Sequence, residues 1–190
     1  RWKKTMKKIV ILNGGPRLNG NTQALIQSFT KGAKETGNEV IQFNLQTMHI
    51  HGCLGCMKGG KDLSSPCVQK DDMNQIYPNY QKCDVIVLAS PMYYWGFTGQ
   101  LKCAFDRLFA VAECNENYQN PKKDVLLLMA SEGDSQDNAK PVQDYYLSLV
   151  NHLNWNNLGM IIAGGNMNIG DISNHPQQLK QAYDLGKSIH

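Results

Sequence analysis

Short runs of apolar, mostly β-branched residues alternate along this chain with longer stretches whose apolar positions return every three or four residues. That alternation predicts a parallel sheet covered by helices on both faces, an α/β fold. Five strands are predicted, Lys8–Asn13, Glu39–Phe43, Asp84–Ala89, Asp124–Met129 and Leu158–Ala163. The first, third, fourth and fifth are apolar nearly throughout, as central strands buried on both faces must be; the second alternates, as an edge strand does. Between them, Ala24, Leu25, Phe29 and Ala33 mark one face of a helix over Asn21–Lys34, with Gly37 as its stop signal. Leu101, Ala104, Phe105, Leu108 and Phe109 mark another over Gly99–Ala112, and further helices are predicted over about Asn138–Leu153 and after Pro176. The long irregular segment Met48–Lys70 is of a length that usually carries function or disorder.

No repeat, low-complexity tract or linker interrupts this pattern, so residues 6–190 are expected to form one domain, with residues 1–5 a terminal extension ahead of Met6. With 42% hydrophobic residues the chain can bury a core without disulfides, and six cysteines are too sparse for a disulfide scaffold. A reducing, cytoplasmic setting is therefore expected. The net charge of +3 is spread out apart from the basic start, and no apolar run reaches membrane-spanning length, so neither a nucleic-acid nor a membrane partner is expected.

Two loops carry candidate chemistry. The first strand runs through Asn13-Gly14-Gly15-Pro16-Arg17-Leu18-Asn19-Gly20-Asn21-Thr22 straight into a helix. In that context backbone N–H groups and the helix dipole bind an anion. The glycines let the backbone close around oxygens, Arg17 adds a two-donor cation, and Asn19, Asn21 and Thr22 add neutral donors. The other reading is a glycine-rich turn in which Asn21 caps the helix. Gly15 to Thr22 has the spacing of a triphosphate loop, but Asn21 stands where its lysine belongs, and the dinucleotide fingerprint is absent. A monophosphate fits better. After the third strand, Ser90-Pro91-Met92-Tyr93-Tyr94-Trp95-Gly96-Phe97-Thr98-Gly99 offers aromatic faces to a flat ring, with Gly96 and Gly99 allowing close approach. The alternative is aromatics packing the loop onto the sheet. Ser131-Glu132-Gly133-Asp134 leaves the fourth strand on the same side.

Gly15-Pro16-Arg17 with Gly20-Asn21-Thr22, together with Ser90-Pro91-Met92-Tyr93-Tyr94, resembles the NAD(P)H-dependent FMN reductases and iron–sulfur flavoproteins of the flavodoxin superfold, over nearly the whole chain from Met6. The resemblance implies a flavodoxin-like three-layer sandwich with strand order 2-1-3-4-5, FMN as cofactor and NAD(P)H as co-substrate. It implies that Gly15, Pro16, Arg17, Asn19, Gly20, Asn21 and Thr22 hold the FMN phosphate. The ring would lie against Pro91, Met92, Tyr93, Tyr94, Trp95 and Gly96, with Ser131 and Gly133 closing over it. Family members usually carry serine at position 15; Gly15 loses that hydroxyl and keeps its backbone N–H. The implied reaction passes electrons from NAD(P)H to a small acceptor such as a quinone, a nitro or azo compound or free flavin. No general acid or base is assigned, because the chemistry belongs to the flavin. The rival is an electron carrier serving a protein partner, against which the net charge of +3 argues, since such carriers tend to be acidic. Relatives commonly form homodimers or homotetramers, and Trp95 and Phe97 are large apolar residues on a loop suited to such contact.

Cys53, Cys56 and Cys67, ahead of Asp71-Asp72-Met73, resemble the compact motif with which four thiolates of the iron–sulfur flavoproteins hold a cubane cluster. The third cysteine of that pattern falls at Gly59. His51 is a further candidate ligand without the usual zinc spacing, so no metal site is assigned. Free cysteines or a reversible C-x-x-C disulfide are the other readings. Cys83, Cys103 and Cys114 are expected to be small buried hydrophobes, and His49, His152, His175 and His190 have no spacing that asks for a metal.

Overall fold

The computed structural model describes residues 6–190, so the expectation for residues 1–5 lies outside the described residues. Strands β1 (Lys8–Asn13), β2 (Glu39–Asn44), β3 (Val85–Pro91), β4 (Asp124–Ala130) and β5 (Asn156–Ala163) form one sheet in the order β2-β1-β3-β4-β5. Every neighbouring pair is parallel. This is the flavodoxin-like sandwich that the sequence predicts. Because side chains alternate across a strand, Ile9, Ile11, Val85, Val87, Leu126 and Leu128 face one layer, of helices α1 (Asn21–Glu35) and α6 (Pro176–Lys187). Val10, Leu12, Ile86, Leu88, Val125 and Leu127 face the other, of α2 (Met73–Lys82), α3 (Gly99–Arg107) and α5 (Gln136–His152). Within the first layer the helices touch backbone to backbone: a Cβ on Gly32 would lie 2.1 Å from the Tyr183 carbonyl oxygen, and one on Gly186 equally close to that of Phe29.

The structure departs from the pattern in three places. β5 is the second edge strand; its apolar run serves two half-covered faces and not a central position. Helix α2 was not among the predicted elements, although its buried residues Met73, Ile76, Tyr77 and Tyr80 have helical spacing; an internal Pro78 obscures it. The helix expected over Gly99–Ala112 breaks at Leu108 into α3 and the single turn α4 (Phe109–Ala112). There the Arg107 carbonyl accepts the Tyr77 hydroxyl at 3.1 Å, and Val111 N–H bonds one residue short, to Leu108.

Residues 49–72 have no helix or strand, and a buried ion pair supports them. Arg107, only 1% exposed, donates to both oxygens of Asp71 (2.7 and 3.1 Å) and to the carbonyls of His51 (2.9 Å) and Gln69 (3.3 Å), so one guanidinium clasps both ends of the cysteine segment. Burial pushes the Asp71 carboxyl up, but the guanidinium and the N–H groups of His51 and Met73 outweigh it and hold the group below the ordinary carboxylate value. A carboxylate lowered in the folded state adds stability that is present above its ordinary value of about 4 and is lost as pH falls through the lowered one. Asp71→Asn is expected to cost about 3–5 kcal/mol at neutral pH, because it strands a buried cation, and the gap from wild type should narrow below about pH 4. Urea unfolding across pH checks this; a loss under about 1 kcal/mol, as for a surface pair, contradicts it.

Candidate functional site

After β1 the chain turns toward the β2 side, and after β3 toward the β4 side, so the two loops diverge and leave a crevice at the carboxyl ends of the strands, where ligands of such sheets bind. The loops are pinned at their base. Gly14 N–H donates to the Ala89 carbonyl at 2.8 Å, and the Thr98 hydroxyl donates to the Gly14 carbonyl at 2.8 Å while accepting Leu101 N–H as the N-cap of α3. Ser90 Oγ in turn accepts Thr98 N–H at 3.0 Å. A Cβ on Gly14 would fall 2.5 Å from Thr98 Oγ1 and 2.7 Å from Leu101 Cβ, so only glycine permits this approach.

Above the pin, Gly15, Pro16, Arg17, Gly20, Asn21, Thr22 and Pro91 line one cleft together with Ala130 and Asn166. Gly20 precedes α1 without a side-chain cap. The N–H groups of the first turn, at Asn21, Thr22 and Gln23, therefore have no intrahelical acceptor. Two expectations are corrected. The Gly15 N–H is not free, because it donates to Asn13 Oδ1 at 2.9 Å. The Asn21 side chain neither caps α1 nor faces an anion. It bonds the carbonyls of Asn166 and Asn168 and the N–H groups of Gly170 and Ile172, tying α1 to the loop after β5. Arg17 is exposed and its guanidinium makes a single 3.3 Å bond to the Met167 carbonyl, which leaves most of its donors open. Asn19 is exposed and outside the cleft lining.

Asn166 is the residue that the sequence did not reveal. It is 4% exposed, its amide nitrogen faces Ala163 O, Gly164 O and Gln178 Oε1, and its Oδ1 is buried without a partner. Three acceptors around the nitrogen fix the orientation of the amide. The cleft thus has unpaired N–H donors at the start of α1, which suit a phosphate ester, and among its lining residues is Asn166, whose own Oδ1 is buried without a partner.

Beyond Pro91 the aromatic loop stands away from the cleft lining. Tyr93 and Gly96 exchange two 3.1 Å backbone bonds around Tyr94 and Trp95, whose φ angles are +46° and +58°. Positive φ at both central positions is the pattern of a type I′ hairpin turn, which ordinarily selects Asn-Gly. Here it displays aromatic residues: Tyr94 is 97% exposed, and Trp95, half exposed, donates from Nε1 to Asn138 Oδ1 at 3.3 Å. Phe97 is not offered for contact with another copy. It packs edge-on against Tyr145, with ring centroids 5.1 Å apart. Met92 packs against the core, Ser131 is buried with its hydroxyl on the Gly133 carbonyl, and Gly133 abuts Asn138, so these three shape the rim without entering the cleft lining.

All six cysteines carry free thiols. Cys83 is buried, which pushes its thiol up to about 11, whereas Cys103 and Cys114 are half-buried and not fully buried as expected. Among the described residues no three His, Cys, Asp or Glu side chains are grouped so as to hold a metal ion, and no helix is long and apolar enough to cross a membrane.

A doubly wound parallel sheet with a glycine-rich loop and an aromatic loop at its switch point defines the class: a flavodoxin-like fold. The chain belongs to the NADPH-dependent FMN reductase family, whose model matches residues 7–171. FMN is accordingly its cofactor and NAD(P)H its co-substrate. It is 28% identical to an iron-sulfur flavoprotein of Methanosarcina thermophila over 90% of this chain and 84% of that one. It is also 35% identical to one of Archaeoglobus fulgidus, over 54% of this chain; that match spans 46% of the relative, about half its length. The fold is similar to an NAD(P)H:quinone oxidoreductase from Methanothermobacter marburgensis (TM-score 0.74, 17% identity, 98% of this chain and 100% of that one). It is similar as well to an FMN-dependent NADH-azoreductase from Bacillus anthracis in complex with FMN (TM-score 0.68, 13% identity, 94% and 97%).

The exposed turn makes its own prediction. Tyr94→Asn puts a residue that tolerates positive φ where an almost wholly exposed tyrosine stands, and is expected to stabilise the protein without cofactor by about 0.5–1 kcal/mol. Chemical denaturation measures it; a loss of stability contradicts the reading that this turn is strained.

Proposed function

We propose that the crevice takes FMN with its phosphate at the start of α1 and its ring against Pro91–Gly96, and that the protein passes electrons from NAD(P)H to a small acceptor such as a quinone, a nitro or azo compound or free flavin. The observation that carries this is the cleft itself, which joins the first turn of α1 to the end of β3 with donors and an acceptor both unpaired.

FMN when bound supplies the redox chemistry, taking two electrons from a nicotinamide and giving them up to the acceptor. The protein's own part is to bind and orient. The N–H groups of Asn21 and Thr22 and the positive end of α1 receive the phosphate, with Arg17 closing over it from the exposed side. Asn166 Oδ1 accepts a hydroxyl from the sugar-alcohol chain, satisfying a buried oxygen that otherwise costs stability. Gly15, Pro16, Asn19 and Gly20 shape the loop, and Met92, Tyr93, Tyr94, Trp95 and Gly96 wall the ring, with Ser131 and Gly133 at the rim. Residues 6–190 act as one domain, in the cytoplasm, and Trp95, exposed beside the site, meets a second copy in a homodimer or homotetramer. The electron-carrier reading draws support from the iron-sulfur flavoprotein relatives. Catalytic turnover separates the two.

With FMN supplied, the protein is expected to oxidise NADH or NADPH over many cycles with a soluble quinone; oxidation confined to one equivalent favours the carrier. Arg17→Ala is expected to weaken FMN binding about 10- to 100-fold, the loss of a charge-assisted bond, with thermal melting of the unliganded protein unchanged. Fluorescence titration reads this, and an unchanged Kd contradicts the placement of the phosphate.

A further inference from the structure

Cys53, Cys56 and Cys67 come together on one cleft, with Gly59, Arg107 and Glu113 among the other residues in its wall. It is a different place from the flavin crevice, sharing none of that cleft's lining residues. Cys67 is buried, Cys56 half-buried and Cys53 exposed. Arg107 is buried and paired with Asp71, and its Nε–H has no acceptor. In the four-thiolate motif that this segment resembles, the missing cysteine falls at Gly59, and the structure shows what stands there. The Gly59 N–H donates to Glu113 Oε1 at 3.3 Å, and a Cβ on Gly59 would lie 2.2 Å from Glu113 Oε2. The carboxylate occupies the space in which a cysteine side chain at position 59 would begin. The neighbouring Gly60, with φ +78°, sits against the Glu113 backbone, so the loop is seated directly on the end of α4. What remains of the cleft is about 30 Å³, room for roughly two water molecules, and three thiols line it where a cubane takes four.

The residues present therefore do not fit the cluster that the iron–sulfur relatives imply. We infer that Glu113 stands in the place of the fourth thiolate, and that this chain has exchanged a cluster site for a cleft closed by its own carboxylate. The Arg107–Asp71 pair holds the loop in shape without a metal. The consequence is that electrons leave this protein from the flavin and not through a second redox centre, which suits a small acceptor. The inference goes beyond the proposed reductase reaction and does not depend on it, because iron uptake is read without turnover.

The test is anaerobic reconstitution of the full chain with ferrous iron and sulfide, followed by desalting, iron and sulfide counting and electron paramagnetic resonance after reduction. Wild type is expected to retain well under about one iron per chain, whereas Gly59→Cys combined with Glu113→Ala should retain about four with equal sulfide. Gly59 has no positive φ, but a cysteine there needs the carboxylate gone and also a shift of the Pro66 backbone carbonyl, which would lie 2.9 Å from the new Cβ. Glu113→Cys, which offers the fourth thiol from the opposite wall, is the second variant should the first not fold. A wild-type chain that retains about four irons overturns the inference. So does a pair of variants with native circular dichroism that remain as iron-free as wild type. Uptake by either variant, with none by wild type, supports it.

Discussion

The structure depends on one close approach, the seating of Gly14 against Thr98. Strand order places β1 beside β3, but adjacency alone does not make a crevice of known shape. The Thr98 hydroxyl does so by bonding the Gly14 carbonyl and capping α3 at once, with no room for a side chain at position 14. It fixes the exit of β1 relative to the exit of β3. The glycine-rich loop after β1 and the aromatic loop after β3 are thereby held at one spacing before any ligand arrives. Pre-organisation of this kind lowers the ordering cost of binding.

Around that pin, polar side chains divide into those that build the crevice and those left for a guest. Asn13 and Asn21 are builders: both are buried, Asn13 bonds Gly15, Gln23 and Asn44, and Asn21 ties the start of α1 to the segment after β5. The first-turn N–H groups of α1, most of the Arg17 guanidinium and Asn166 Oδ1 are the uncommitted groups. A buried acceptor without a partner is rare in a finished fold, and Asn166 is one of the residues that line the cleft. The strained Tyr94–Trp95 turn is a second local cost at the same end of the sheet, where such costs gather in binding sites.

Much of this was legible in the sequence because strand burial and helix periodicity are local signals. Lys8–Asn13 reads as a strand from its own residues, and Asn21 to Lys34 as a helix from its own period. Helix α2 escaped because Pro78 interrupts a short pattern in which two of the four buried positions are tyrosines, although Met73, Ile76, Tyr77 and Tyr80 do have helical spacing. The break at Leu108 depends on a hydroxyl thirty residues away. For the same reason the committed role of Asn21 and the meeting of Gly59 with Glu113 had no sequence signature: each joins residues far apart in the chain. Loop composition named the segments that border the crevice. It did not say which of their groups are already taken.

The most direct test of the account is a crystal structure of the protein with FMN. The phosphate is expected on the N–H groups of Asn21 and Thr22 beneath Arg17, with a hydroxyl of the sugar-alcohol chain on Asn166 Oδ1 and the ring against the Tyr93–Gly96 turn. A flavin seated elsewhere, for example in the apolar groove lined by Phe105, Leu149 and Trp155, with Asn166 Oδ1 still unpaired, would contradict it.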